Sequence, residues 1–96
     1  MNQFFESLGK DWVEAAQRRG VKITSPTLDS RVALELLELA RVAAHTQERR
    51  FAPLTSYMAG VAAERLRAAK PDVDDAALAE LIQEVRQKLE REVPGL

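Results

Sequence analysis

The chain has no cysteine and few glycines, prolines and aromatic residues: four, four and five among 96 residues. Without cysteine, disulfide bonds, cysteine-ligated zinc and thiol nucleophiles are all excluded. No apolar run has the length that a membrane span needs, and the N-terminus shows no basic segment followed by an apolar one. We therefore expect neither a transmembrane helix nor a signal peptide, and a cytoplasmic location.

The chain also has almost no net charge, since 14 basic residues face 15 acidic ones and leave −1. Proteins that bind nucleic acid are usually strongly basic, so this balance argues against that class of partner. The hydrophobic fraction is 46% and the charged fraction 30%, as in ordinary globular proteins. Because 96 residues suffice for one domain of this kind, we expect a single domain over residues 1–96.

Alanine, leucine, glutamate and arginine dominate the composition, a mix that favours helix over strand. Apolar residues recur at spacings of three and four in four segments, which predicts four amphipathic helices. Glycines, prolines and aspartates separate the segments. The expected helices span about residues 2–19, 30–49, 53–70 and 74–92, and residues 94–96 are expected to form a frayed tail.

The second segment is apolar around more than half of its circumference. A helix of that kind is typical of the centre of a bundle, where it has neighbours on several sides. We therefore expect an all-α fold, either a compact four-helix bundle or an irregular four-helix array, around residues 31–48. Leu36 and Leu37 are expected to lie in its core.

Particular residues are expected to begin or end these helices. Gly20 follows the first periodic segment, as a C-terminal helix stop does. Pro53 fits the first turn of the third helix, where its missing N–H is not needed, and Asp72 or Asp74 can cap the fourth. The buried stripe of the third helix is expected to comprise Leu54, Met58, Val61 or Ala62, and Leu66.

Known catalytic patterns are missing from the sequence. One histidine and no cysteine cannot form a usual zinc site, and no Walker loop, G-x-G-x-x-G or G-x-S-x-G pattern occurs. His45 is the only candidate for a base at neutral pH, and nothing in the spacing demands a catalytic site built around it with Glu48 or Glu38. We therefore expect a non-enzymatic protein with no metal and no cofactor.

A polar cluster lies where the second helix gives way to the third. Helix N-termini attract anions, and nearby arginines strengthen that attraction. Residues 41–70 hold six basic and two acidic residues, whereas residues 71–96 hold three basic and seven acidic ones. One interpretation is a small site for an anion or a nucleotide phosphate; the other is structural, because cations complement a helix C-terminus and hydroxyls bond to local backbone. The cluster comprises His45, Arg49, Arg50, Thr55 and Ser56.

Two features indicate a contact surface for another protein. Phe4 and Phe5 are adjacent, and successive helical residues point about 100° apart, so both cannot face one core. One of them is expected to be exposed or to contact a second copy of the chain. Gly60 lies among small residues that let another backbone approach closely. A protein partner or a homodimer is therefore the leading expectation.

A longer pattern spans the second and third helices, in residues 38–66, and an Asp11-Trp12 pair precedes it. The matching positions are Leu39, Ala40, Arg41, Ala44, His45, Arg49, Ala52, Pro53, Leu54, Thr55, Tyr57 and Gly60. This pattern resembles the central motif of a small bacterial domain of unknown function that occurs alone, or joined to or encoded near molybdenum-cofactor guanylyltransferases. The resemblance implies an accessory module connected with maturation of that cofactor and assigns no chemical role to any residue.

Overall fold

A computed structural model describes residues 2–92 and contains four helices over that range, without any strand. The all-α class that the sequence predicts is therefore confirmed. The expected tail at residues 94–96 lies outside the described residues. The described chain divides into two compact units, one ending at Ser30 and the other beginning at Arg31. The helices are α1 (Gln3–Gln17), α2 (Ser30–Thr46), α3 (Phe51–Ala69) and α4 (Asp75–Glu92).

Gly20 ends the first helix by adopting a left-handed backbone conformation. Its φ is +79°, a region that residues with a Cβ rarely enter. The N–H of Val21 donates to the carbonyl of Ala16 at 3.1 Å, and the N–H of Gly20 donates to that of Gln17 at 2.9 Å. This pair of bonds is the Schellman arrangement, so the expected role of Gly20 is confirmed.

Gly9 lets the segment after α1 fold closely against that helix. It is the buried residue of α1. A Cβ placed at this position would lie 2.6 Å from Oγ of Ser25 and 2.8 Å from the carbonyl oxygen of Pro26. Both distances are shorter than a carbon atom tolerates, so the segment can pass here only because residue 9 has no side chain.

The second unit has a core of small and medium apolar side chains from all three of its helices. α3 and α4 pack against each other, and each contributes an almost fully buried alanine. The buried core comprises Leu39, Val42 and Ala43 of α2, Ala63 of α3, and Leu78, Ala79 and Ile82 of α4.

α2 buries one face only, contrary to the expectation of a helix enclosed on several sides. Leu36 is half-buried, but Leu34 and Leu37 are 63% and 68% exposed. The predicted core position of Leu37 is therefore wrong. Successive residues of a helix point about 100° apart. Leu37 therefore points nearly opposite to Leu39, whose side chain lies in the core.

The large residues of the predicted α3 stripe also lie outside the core. Leu54 and Met58 are 62% and 71% exposed, and Leu66 is half-buried. The buried residue of α3 is Ala63. The predicted burial of Leu54 and Met58 is therefore wrong, because the residue that α3 turns into the core is Ala63.

The fourth helix begins with a side-chain cap. Oδ1 of Asp74 accepts a hydrogen bond from the N–H of Ala77 at 2.9 Å, so Asp74 rather than Asp72 is the capping residue. Arg67, near the end of α3, contacts Asp75 in the first turn of α4 at 3.1 Å. α3 begins at Phe51, and Pro53 occupies its first turn as expected.

Arg86 links α4 to α2 through a half-buried ion network. Its guanidinium contacts Oε1 of Glu35 at 3.2 Å and Oε1 of Glu90 at 3.0 Å, and its side chain is only 15% exposed. Hydrogen bonds to Glu90 and Glu35 raise the pKa of Arg86 above its ordinary value, although desolvation opposes the shift. Arg41 extends the network, with Glu38 at 3.1 Å and Glu90 at 3.8 Å.

The close passage over Gly9 generates the first prediction. We expect Gly9→Ala to destabilise the first unit by about 1–3 kcal/mol through overpacking. Gly60→Ala is the matched control, since no atom lies within 4 Å of a Cβ at that exposed position, and we expect it to stabilise α3 by about 0.5–1 kcal/mol. Urea unfolding followed by Trp12 fluorescence and by circular dichroism measures both changes. If the urea unfolding transition reported by Trp12 were unchanged in Gly9→Ala, the close contact of Ser25 and Pro26 with residue 9 would be contradicted.

The Arg86 network generates the second prediction. Arg86→Met leaves the partly buried carboxylate of Glu35 without its cation and Glu90 with only the more distant Arg41, and we expect the free energy of unfolding to fall by about 1–3 kcal/mol. Lys88→Met breaks the exposed pair with Glu92, 3.3 Å apart, and should change stability by less than about 0.5 kcal/mol. Equal losses in the two variants would show that the Arg86 link adds no stability of its own.

Candidate functional site

An apolar groove of about 220 Å³ lies in the second unit, with α3 and α4 as its walls. Its single side-chain hydroxyl belongs to Thr55, and that group donates to the carbonyl of Phe51 at 2.8 Å. Sites for small polar ligands usually offer several convergent polar groups, and this lining offers none that is free. The groove is lined by Leu39, Thr55, Met58, Ala59, Ala62, Leu81, Ile82 and Val85.

Large apolar side chains flank the groove and remain in contact with solvent. Met58 and Val85 line it while staying 71% and 48% exposed, and Leu54 lies one helical turn before Met58. Ala59 and Ala62 leave room on the α3 side for another backbone to approach. Single exposed apolar residues are ordinary, but a contiguous apolar surface marks an interaction site.

Two exposed charged residues of the second unit form no ion pair with any residue between 2 and 92: Arg65 of α3 and Glu84 of α4. Neither belongs to the lining of the groove. Arg65 lies on a shallow outer face with Tyr57 and Gly60.

The predicted anion cluster lies at the joint between α2 and α3. Nε of Arg50 is 2.9 Å from Oε2 of Glu48, and its guanidinium lies over the ring of Phe51, 5.8 Å from the centroid. Arg50 is thus engaged by an anion and an aromatic ring of its own segment. The hydroxyl of Thr55 is also occupied within α3.

The other members of that cluster do not converge. His45 and Arg49 are exposed and Ser56 is half-buried. Within residues 2–92, no two of the five side chains bond to each other. The joint holds positive charge but shows no shared point at which a phosphate would contact several donors, so the anion-binding interpretation stays a prediction.

The residues predicted to form an interface occupy separate places. In α1, the rings of Phe4 and Phe5 pack edge to face with centroids 5.1 Å apart, and Phe4 is the more exposed of the two. In α3, Gly60 is exposed and lies beside Tyr57 and Val61 on a shallow outer face. A role of Phe4, Phe5 and Gly60 in an interface stays a prediction.

Sequence reasoning missed the groove because it assigned Leu54 and Met58 to the core. A signal was nevertheless present. α3 carries alanines at positions 59, 62 and 63, and Ala63 takes the buried place that the larger residues were expected to fill. A helix with that many small residues can pack through them and leave its large residues outside.

Residues 6–94 match a family model described as a domain of unknown function, DUF6457, so the chain belongs to this family. No curated protein and no solved structure matches the chain. Among the described residues, no three His, Asp or Glu side chains lie close enough together to hold a metal ion. None of the four described helices has the length and apolar character needed to cross a membrane.

The exposure of the groove rim generates the third prediction. We expect Met58→Ser to change the free energy of unfolding by less than about 0.5 kcal/mol, because its side chain already contacts solvent. Ile82→Ala removes a side chain that is 3% exposed and should cost about 2–4 kcal/mol. Urea unfolding at constant protein concentration compares the two. A large loss of stability in Met58→Ser would show that the side chain of Met58 is buried in the core.

Proposed function

We propose that this member of the DUF6457 family is a non-enzymatic protein-interaction module, which binds an amphipathic helix of a protein partner in the groove between α3 and α4. The observation that carries the proposal is the exposure of Leu54, Met58 and Val85 beside an apolar groove. Burial of apolar surface is worth roughly 25 cal/mol per Å². Covering these side chains would therefore favour association.

The shape of the groove favours a helix as the occupant. On α3 the lining runs from Thr55 to Ala62, two helical turns, and α4 provides the opposite wall. Grooves between helices accept the apolar face of a third helix, whose residues enter at spacings of three and four. Ala59 and Ala62 allow such a helix to approach without a clash.

The proposal extends to the setting in which the module works. The resemblance of residues 38–66 to a bacterial domain joined to or encoded near molybdenum-cofactor guanylyltransferases supports an accessory role in maturation of that cofactor. The absence of cysteine from all 96 residues is consistent with a cytoplasmic module. An accessory module of this kind binds another protein and carries out no bond-making step.

A photoreactive side chain at position 58 provides the fourth prediction and tests the groove. We expect a benzoyl-phenylalanine at this position, in cells that naturally express the chain, to crosslink to an amphipathic helix that mass spectrometry then identifies by its sequence. The matched control places the same group at Gln87, an exposed residue of α4 that does not line the groove.

The comparison between the two positions decides the outcome. A helical peptide crosslinked at position 58 and missing at position 87 supports the proposed function. Equal crosslinking at the two positions, or none at position 58, contradicts it. Both positions are exposed and should tolerate the replacement. Circular dichroism of the variant chains checks beforehand that their helices are intact.

A further inference from the structure

We draw no further inference here: the strongest candidate, the shallow outer face of α3 where Tyr57 and Gly60 lie beside Arg65, carries none, because nothing in the structure shows what covers it.

Discussion

The burial of small side chains shapes the core of the second unit. Ala63 of α3 and Ala79 of α4 are almost completely buried there, and α3 contacts α4. The larger residues Leu54 and Met58 of α3 meet solvent, and Met58 lines the groove. α3 thus gives a small side chain to the core and leaves larger apolar ones at the groove or next to it.

A half-buried ion network complements the small apolar core. Arg86 joins Glu35 of α2 to α4, so part of the polar stripe of α2 contributes to tertiary structure and does not only face water. The attraction within such a pair must offset the free energy lost when both groups leave water. Its net contribution to stability therefore depends on good hydrogen-bond geometry. The network fixes which side of α4 lies toward α2 and thereby leaves Val85 at the groove.

The exposed apolar side chains at the groove are the feature on which the proposed interaction module rests. Burial of these side chains against a partner would provide the driving force for association. A protein that uses its surface in this way needs no convergent polar groups and no perturbed acid or base.

The sequence by itself determined the all-α class and most of the helix ends, because these depend on residues only a few positions apart. Gly20 and Asp74 act through bonds to backbone groups within five residues. Tertiary structure alone decided which apolar side chains are buried, why Gly9 must lack a Cβ, and where the groove lies. Periodicity shows that a helix has an apolar face, but the face that becomes core is fixed by which neighbour approaches most closely, and that depends on residues far apart in the chain.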